Sequence, residues 1–481
     1  MNCKQKQARV DVLAIGFSLL FVVIGVQTPA FSQERTKAER YVLAKAQAGE
    51  AADLKTEFPD ERDRKLSGDF IKELLTNPNN RLEISSHGIT IWEAVITDEI
   101  DLINDTVPND ITLSSCIFEG EFNATQSHFL RTLDLTGSTF KNKVDFENAA
   151  IEFDFKTENC HYDRWNPSDD LAFFKSVRVG RDWLMSGAKF DVRADFTESD
   201  IGGKLSAAKV TFESDAEFDG IRVKGESILR EATFRYGQAQ FGDTHFANLF
   251  LTDADFEKAS VVDFTGMQVD SVFFDRLKFN NQRTVKIEGM TFKSMSPATW
   301  EALQYVAHHS EYNPEFYTNL ETLFRSHGYT GEADDVYIAK QQEERHIKCK
   351  SFFHDCEKVY WAKSVFEDWL VGYGRRLEKL LLWSILFVAV GSVVFRRNGM
   401  KKKKPRKEEH EKDNRCGKLL SLYYGLWYSL DLFLPVVELG EQEIWTPKDH
   451  RRGAVFYKKL HTIVGHLFVP IGLAAWTGII K

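Results

Sequence analysis

The chain has 481 residues and a formal net charge of −9, with 43% hydrophobic and 28% charged residues. This length is too great for one ordinary hydrophobic core, so two or three modules are expected. The negative balance argues against nucleic acid as a general partner. Phenylalanine is abundant, with 38 residues, which favours a fold that stacks aromatic rings.

Residues 1–32 have the pattern of a secretory signal peptide. A basic start precedes an apolar run over residues 12–26, and small residues follow at Ala30 and Ser32. Signal peptidase recognises this arrangement. We predict cleavage after Ser32, the alternative being an uncleaved anchor. Either outcome puts the next module outside the cytoplasm.

Residues 33–82 are predicted to form a helical cap. The stretch 34–57 is rich in alanine, lysine and glutamate, and 64–76 groups its apolar residues before a stop at Asn77-Pro78. The end of a stack of strands exposes unpaired strand edges, and helices at this position are expected to cover them.

Residues 110–162 carry the pattern on which the fold prediction depends. Large apolar residues recur every 11 positions, at Phe118, Phe129, Phe140, Ile151 and Tyr162. A small residue lies two positions before each of them, at Cys116, Ser127, Ser138, Ala149 and Cys160. A fixed short period indicates stacked rungs that bury their inner faces against one another. We predict one rung per 11-residue row, with Cys116 and Cys160 as small inward-facing core residues.

The pattern extends over residues 83–293, with an insertion after Tyr162. It predicts a mainly β fold, a right-handed, quadrilateral-type β-helix. Residues 294–372 change to helical spacing and are predicted to form a connector that contains an αα-hairpin. Cys349 and Cys356 can pair as a disulfide in an oxidising compartment, although spacing alone does not determine cysteine pairing.

Residues 373–481 are predicted to form a membrane module. An apolar run over residues 380–395 rises about 24 Å as a helix, a little less than the hydrocarbon thickness, and basic residues flank it. The stretch from Arg396 to Lys418 holds 11 lysines and arginines, so the positive-inside rule makes it cytoplasmic. That orientation agrees with an exported β-helix.

Two further apolar stretches cover residues 419–437 and 461–480. If the first spans the membrane, the glutamates that follow it lie outside. If it is re-entrant, residues 438–459 stay cytoplasmic, which their five lysines and arginines favour. Both topologies remain open at this point.

Five residues of this module are candidates for an ion or pore site: Asp431, Glu438, Glu441, Glu443 and His466. An acid within a membrane segment is costly and usually faces protein or an aqueous path. Asp431 is therefore either a pore residue or a packing residue bonded to Ser429 or Tyr428. The glutamates form either a cation site or a solvated rim. His466 is either a proton relay or an interhelical hydrogen-bond partner.

Some segments resemble known families. The β-helix resembles the bacterial pentapeptide-repeat superfamily in its longer-period form, on LDLTGSTF at 133–140, KVDFENAAI at 143–151, GIRV at 220–223 and the leader at 52–75. The C-terminal module resembles the two-helix, ion-channel-like tail of some of these proteins, on Tyr428-Ser429-Leu430. The Thr-x-Gly-Tyr-Gly filter of that tail is replaced by LPVVELGEQE at 434–443. Since such a filter selects through rings of backbone carbonyls, the resemblance does not imply potassium conduction.

The chain contains no G-x-S-x-G, P-loop, G-x-G-x-x-G or H-E-x-x-H motif. We expect a non-enzymatic envelope protein, multi-pass in the inner membrane, whose periplasmic β-helix serves as a scaffold for binding or sensing. Its expected partners are membrane lipid, a protein or glycan on the β-helix, and a second copy of the chain through the membrane module. No nucleic acid, cofactor or metal is expected.

Two alternatives belong to other classes of protein. One is a channel-like or membrane-permeabilising protein in which residues 419–437 line a pore and the β-helix gates it. The other is an enzyme that acts on polysaccharides, because long β-helices can carry clustered carboxylates on an outer face. Its candidate residues are Asp191, Asp195 and Asp200.

Overall fold

The structure, a computed structural model, describes residues 35–77, 82–164, 171–280, 284–349, 358–403, 418–434, 437, 439–449 and 451–477. Within these ranges a β-solenoid extends from residue 89 to residue 296, with helices before it and a helical region after it. The solenoid prediction is confirmed. The predicted signal peptide at 1–32 lies outside the described residues.

The strands of the cap and solenoid are short, and every pairing among them is parallel, as in the examples of β3 with β7 and β32 with β35. In chain order they are β1 (Ala52–Asp53), β2 (Lys65–Leu66), β3 (Ile89–Trp92), β4 (Val95–Ile96), β5 (Ile100–Asp101), β6 (Thr106–Val107), β7 (Ile111–Ser114), β8 (Ile117–Phe118), β9 (Phe122–Asn123), β10 (His128–Phe129), β11 (Leu133–Asp134), β12 (Thr139–Phe140), β13 (Val144–Asp145), β14 (Ala150–Ile151), β15 (Phe155–Lys156), β16 (His161–Tyr162), β17 (Leu171–Phe173), β18 (Arg178–Val179), β19 (Trp183–Leu184), β20 (Lys189–Phe190), β21 (Arg193–Asp195), β22 (Asp200–Ile201), β23 (Leu205–Ser206), β24 (Thr211–Phe212), β25 (Ala216–Glu217), β26 (Arg222–Ile228), β27 (Thr233–Arg235), β28 (Gln238–Gln240), β29 (His245–Phe250), β30 (Asp255–Lys258), β31 (Val261–Asp263), β32 (Gln268–Phe273), β33 (Lys278–Phe279), β34 (Val285–Lys286) and β35 (Thr291–Ser296).

Each coil contributes one strand to each of four faces. Face 1 holds β3, β7, β11, β15, β19 and β23; face 2 holds β4, β8, β12, β16, β20, β24, β27, β30 and β33; face 3 holds β5, β9, β13, β17, β21, β25, β28, β31 and β34; face 4 holds β6, β10, β14, β18 and β22. From β26 onward the longer strands β26, β29, β32 and β35 continue faces 4 and 1 together. The solenoid has about nine turns.

One coil is 22 residues long over residues 89–162, which corrects the prediction of one rung per 11-residue row. Later coils have 22 or 23 residues, apart from one of 28. Phe118 pairs with Phe140, and Phe140 with Tyr162, all on face 2. Phe129 pairs with Ile151 on face 4. The 11-residue period is therefore half a coil, and alternate members of the column lie on different faces.

Aromatic side chains fill the inside of the tube. One stack runs along face 2 through Phe118, Phe140, Tyr162, Phe190, Phe212, Phe234, Phe256 and Phe279, with centroid spacings of 4.3 to 5.4 Å. A second runs beside it through Phe122, Phe146, Phe174, Phe196, Phe218, Phe241 and Phe264. Each aromatic pair adds about 0.5–1.5 kcal/mol beyond its buried area. These stacks account for much of the phenylalanine excess.

The N-terminal cap is confirmed and covers the first coil. Its helices are α1 (Lys37–Ala48), α2 (Leu54–Glu57) and α3 (Gly68–Thr76), with a 3₁₀ turn at Glu61–Arg64. Strand β1 pairs with β3 and β2 pairs with β4, so the cap extends two of the sheets. Thr36 and Glu39 form a capping box at the start of α1, which satisfies backbone N–H groups that the helix leaves free.

Helices also close the other end of the solenoid. They are α4 (Trp300–His308), α5 (Pro314–Ser326) and α6 (Thr330–Lys348), followed by α7 (Lys358–Val371). Leu303, Leu320 and Val336 belong to the same continuous core as the last coils. Helices α5 and α6 form the predicted αα-hairpin, and its apolar side packs on the solenoid.

The C-terminal region contains α8 (Leu377–Val394), α9 (Lys418–Phe433), α10 (Glu441–Ile444) and α11 (Arg452–Trp476), with a 3₁₀ turn at Arg397–Gly399 and two strands, β36 (Met400–Lys402) and β37 (Trp445–Pro447). Of the helices in the described ranges, only α8 is long and apolar enough to cross a membrane by length and composition. Helices α9 and α11, which overlap the other two predicted spans, do not meet that criterion.

Candidate functional site in the C-terminal helices

Small residues let α8, α9 and α11 pack closely. A Cβ atom added to Gly391 of α8 would lie 2.2 Å from the Ser429 hydroxyl oxygen of α9. A Cβ atom added to Gly465 of α11 would lie 2.2 Å from the Phe433 carbonyl oxygen. Small residues at helix crossings allow backbones to approach and polar groups to bond between helices.

Helices α9 and α11 both run antiparallel to α8. The Ser429 hydroxyl donates to the Val388 carbonyl at 3.0 Å, and the Tyr457 hydroxyl donates to the Phe387 carbonyl at 3.2 Å. The Arg451 guanidinium, at the start of α11, donates to the Val394 carbonyl at 3.2 Å. We call the end of the bundle at Val394 the far end, and the end where α8 begins the near end.

After α9 the chain turns back to the far end. The backbone N–H groups of Leu439 and Gln442 donate to the Asp431 carboxylate at 2.8 and 2.7 Å. Strand β37 then pairs antiparallel with β36, Trp445 opposite Lys402. Residues 439–447, which we call the return segment, therefore end beside the residues that follow α8.

Basic residues collect at the far end. The described residues there include eight basic ones, Arg396, Arg397, Lys401, Lys402, Lys403, Lys448, Arg451 and Arg452, against three acids, Glu441, Glu443 and Asp449. At the near end, by contrast, the basic residues face acids of the connector. Arg375 lies 3.3 Å from Glu321, and Arg376 forms an ion pair with Asp335.

Asp431 is a buried cap of the return segment. Its side chain is 4% exposed and its two oxygens accept the Leu439 and Gln442 N–H groups. If Asp431 is a packing residue, the sequence predicted that it bonds to Ser429 or Tyr428. That predicted partner is wrong. Ser429 bonds to Val388 and to His461, and the Tyr428 hydroxyl has no hydrogen-bond partner in the part of the chain that the structure describes. These bonds were missed because the residue pattern does not show which backbone groups a reversing chain would bring to Asp431.

His461 lies at the centre of the helix crossing, a role that sequence analysis offered to His466. The Nε2 atom of His461, which is 0% exposed, lies 3.0 Å from the Ser429 carbonyl and 3.1 Å from its hydroxyl. A carbonyl only accepts, so Nε2 carries the hydrogen. The Nδ1 atom is then an acceptor that has no partner among the described residues.

His466 instead bonds the Thr462 carbonyl of its own helix at 2.8 Å and is exposed. The interhelical bond predicted for it is wrong. Helical spacing could have identified His461 as the residue at the helix contact. It lies on one face of α11 together with Gly465, Phe468 and Gly472, and the two glycines allow a neighbouring helix to approach that face. Residue 466 falls outside that face.

The candidate glutamates differ in their surroundings. Glu441 lines a small cavity with Phe395, Arg397, Met400, Tyr424, Tyr428 and Trp445. In that cavity the Arg397 guanidinium lies 4.0 Å from the centre of the Tyr424 ring and 5.1 Å from Trp445. Glu443 is exposed. Glu438 lies outside the described residues.

The three solenoid carboxylates proposed for an enzyme do not share a face. Asp191 follows β20 on face 2, Asp195 ends β21 on face 3, and Asp200 begins β22 on face 4. Each has its own neighbour, since Asp191 lies 2.7 Å from Lys189, Asp195 accepts the Thr197 N–H, and Asp200 lies 3.7 Å from Lys224. The three aspartates therefore do not form one cluster of carboxylates.

The cysteines are consistent with structural roles. Cys116 and Cys160 are buried and free, as predicted for inward-facing positions, and burial raises the pKa of each thiol to about 12. Cys349 is in a disulfide bond. Its predicted partner, Cys356, lies outside the described residues, so the pairing itself stays a prediction.

Comparisons with protein-family models and with curated proteins found no match. The resemblances to pentapeptide-repeat proteins and to ion-channel-like tails therefore depend on the sequence segments quoted above.

Proposed function

We propose that this chain is a non-enzymatic, membrane-anchored β-solenoid that presents a rigid binding surface outside the cytoplasm. The observation that carries the proposal is the apolar exterior of the C-terminal helices. Large apolar side chains of α8, α9 and α11 are between 38% and 70% exposed: Leu381, Leu382, Ile385, Val393, Tyr423, Trp427, Phe456, Ile463, Leu467 and Leu473. Soluble proteins rarely expose contiguous apolar surface of this extent, and a lipid environment would cover it.

In this proposal α8 crosses the membrane, and so does α11, which is long enough but less apolar than α8. Residues 418–447 enter and leave the membrane at the far end. The far end is cytoplasmic, because its basic residues exceed its acidic ones. Helix α11, with 25 residues, is about 37 Å long. Its first turns, with Lys458 and Lys459, then lie at the level of the lipid headgroups, where long basic side chains reach water.

The connector supports a rigid presentation of the solenoid. Arg375 faces Glu321 at 3.3 Å and packs against Tyr337 at 4.5 Å from the ring centre. Arg345 of α6 faces Asp368 of α7 at 3.2 Å. Several part-buried contacts thus join the helices that close the solenoid to the start of α8, which favours a fixed orientation of the solenoid above the bilayer.

The proposal includes the finer fold identification, a right-handed β-helix of the pentapeptide-repeat type. Four strands per coil and inward phenylalanine stacks support it. The partner on the solenoid is a protein or a glycan, recognised through charged side chains that project from the strands. Hydrolysis of a polysaccharide by the purified chain would contradict the non-enzymatic part.

Cysteine accessibility in intact vesicles tests the topology. Single cysteines replace Lys402, Asp449 and Thr477, with Lys224→Cys on the solenoid as the outside reference. The background carries Cys3→Ser and Cys416→Ser. A membrane-impermeant maleimide then reports which sites face the outer compartment.

Labelling from outside is expected at Lys224→Cys and Thr477→Cys, and only after permeabilisation at Lys402→Cys and Asp449→Cys. If residues 419–437 spanned the membrane, Asp449→Cys would react from outside and Thr477→Cys would not. Equal labelling of all four sites, with the protein in the soluble fraction, would sink the membrane anchor.

A channel-like function is a second candidate. It is favoured by the return segment and by three buried polar atoms without partners in the described residues, Ser421 Oγ, Tyr428 Oη and His461 Nδ1. Val437, just before the return segment, and Leu439 and Ile444 within it are exposed and give copies of the chain an apolar contact surface. Several copies around this segment would be required to enclose a pore.

Planar-bilayer recording of the full chain tests the channel. Ion conductance is expected, lowered by Glu443→Gln in the return segment and unchanged by Asp449→Asn at the same end of the bundle. An absence of conductance, or an equal effect of the two variants, counts against the channel and leaves the anchored scaffold.

A further inference from the structure

One group of side chains on the solenoid has the geometry of a metal site. Among the described residues, His161, Asp163 and Asp191 alone bring three potential ligand atoms of histidine, cysteine or carboxylate groups within 4.8 Å of one another. They lie on the outside of face 2, far in sequence from the C-terminal helices. No metal was expected from the sequence, where Asp163 and Asp191 are 28 residues apart.

The coil geometry builds this group. His161 and Asp163 are two residues apart on an extended strand, so their side chains leave the same side of the sheet. His161 pairs with Lys189 on the next coil, and the register puts Asp191 beside Asp163. The His161 Nε2 atom lies 2.8 Å from Asp191 Oδ2 and 3.4 Å from Asp163 Oδ1.

Asp163 and Asp191 lie side by side on neighbouring coils, with Lys189 next to Asp191. Two carboxylates side by side on neighbouring strands repel each other. The Lys189 amine lies 2.7 Å from Asp191 Oδ1 and leaves the other oxygen directed at His161.

We propose that His161 Nε2, Asp163 Oδ1 and Asp191 Oδ2 bind a divalent first-row transition ion of the zinc type. One imidazole with two carboxylates suits such ions, whereas Ca²⁺ and Mg²⁺ prefer oxygen ligands alone. Lys189 is a positioning residue, because its bond to Oδ1 holds the Asp191 carboxylate in place. Three protein ligands leave at least one position for water or for a donor group of a partner.

The site goes beyond the proposed scaffold function and does not depend on the membrane topology. It offers the solenoid a specific contact for a partner that carries its own metal-ligating group. The metal-free explanation is an ordinary ion-pair cluster. That explanation predicts no difference between this group and other histidine–carboxylate contacts between coils.

The solenoid contains a matched control for that comparison. His128, about as exposed as His161, lies 2.6 Å from Glu152 on the following coil, but no second carboxylate of the described residues completes the group. The pair thus reproduces the histidine–carboxylate contact without the third ligand. Replacement of His128 is expected to leave metal binding unchanged.

The test measures Zn²⁺ binding by the full chain in detergent, by competition with a chromophoric chelator, and the visible spectrum of the Co²⁺ form. Wild type and His128→Ala are expected to bind one more ion than His161→Ala. Asp163→Asn, nearly identical in shape, is expected to weaken that site about tenfold or more and to alter the cobalt band. Circular dichroism checks that each variant keeps the fold.

Three results would overturn the proposal. The first is no Zn²⁺ binding by the wild type at submillimolar concentration. The second is the same stoichiometry in wild type and His161→Ala. The third is an equal loss of bound Zn²⁺ in His128→Ala and His161→Ala, which would mean that the ion binds adventitiously to surface histidines.

Discussion

Tyr162 stacks face to face on Phe190, with ring centroids 4.3 Å apart and ring planes 3° apart. The two residues are 28 positions apart, whereas Phe140 and Tyr162, one step earlier in the same stack, are 22 apart and 5.0 Å from centroid to centroid. Six additional residues thus enter one coil and leave the aromatic stack unbroken. The core of the solenoid depends on the strand register and not on the length of its loops.

Deletion of residues 165–170 is therefore expected to preserve the fold. It restores the 22-residue distance between Tyr162 and Phe190, and between Val144 and its partner Ala172. Loop shortening costs little when the strands that it joins keep their register. The thermal midpoint of the β-sheet circular dichroism signal should stay within a few degrees of wild type. A large fall in that midpoint after the six-residue deletion would show instead that the inserted residues hold the strands in register.

Removal of one ring from the stack is expected to be costly. Phe190 is buried and lies between Tyr162 and Phe212, at 4.3 and 5.0 Å. Phe190→Ala should lower the free energy of unfolding by about 3–5 kcal/mol, because it leaves a cavity and breaks two ring contacts. Tyr236→Asn is the control, since Tyr236 is 70% exposed and its left-handed backbone suits asparagine. A denaturant titration that finds equal losses would contradict the role given to the stack.

Much of the solenoid could be read from the sequence, and the length of its coil could not. The apolar period identified the inward positions, among them Phe118 and Phe129. Both positions carry phenylalanine, so the pattern looks the same for a rung of 11 residues and for half a coil of 22. Only the pairing of Phe118 with Phe140 distinguishes the two, and such pairing is a tertiary property.

The candidate site was less accessible to sequence reasoning. Asp431 was identified as an unusual acid in an apolar stretch, but its partners are backbone groups of a segment that folds back on it. The bond between His461 and Ser429 joins helices whose relative rotation no local pattern encodes. The metal-ligand group was missed for the same reason, because it forms between two coils.

Cys116 and Cys160 should be unreactive in the folded chain. Burial raises the pKa of both thiols to about 12, so the thiolate is scarce at pH 8 and reagents cannot reach it. Iodoacetamide at pH 8 is expected to modify neither residue before unfolding and both after it, as peptide mass spectrometry can show. Fast modification in the native state would mean that the coils open locally.

Glu39 should make the cap sensitive to acid. It is 6% exposed and accepts hydrogen bonds from the Thr36 N–H and from both the N–H and the hydroxyl of Ser67. Burial raises its pKa, but these bonds outweigh burial, so the folded pKa lies below the ordinary 4.5. Its contribution to stability is complete above about pH 4.5 and is lost as the pH falls through the lower folded pKa.

Glu39→Gln should therefore cost about 1–2 kcal/mol at pH 7, because an amide N–H then faces a donor, and should flatten the pH dependence below pH 4.5. Glu50→Gln is the control. Glu50 is exposed and its ion-pair partner among the described residues is Lys45, so little change in stability is expected. Thermal unfolding between pH 3 and pH 7 measures both. An unchanged acid profile in Glu39→Gln would refute the assignment.

Arg375 is expected to hold the start of α8 to the connector. Its guanidinium lies 3.3 Å from Glu321, 3.8 Å from Asp334 and 4.5 Å from the centre of the Tyr337 ring, and its side chain is 20% exposed. Arg375→Ala leaves two part-buried acids without this partner and should cost about 1–3 kcal/mol. Arg375→Lys should recover only part of the lost stability, because a lysine ammonium neither stacks on an aromatic ring nor makes a bidentate contact with a carboxylate.

The control is Lys363→Ala. It removes the exposed contact with Glu367 at 3.8 Å and should change the stability little. Thermal loss of the helical signal in detergent compares the three variants, and equal shifts for Arg375→Ala and Lys363→Ala would show that the junction is held by apolar packing instead.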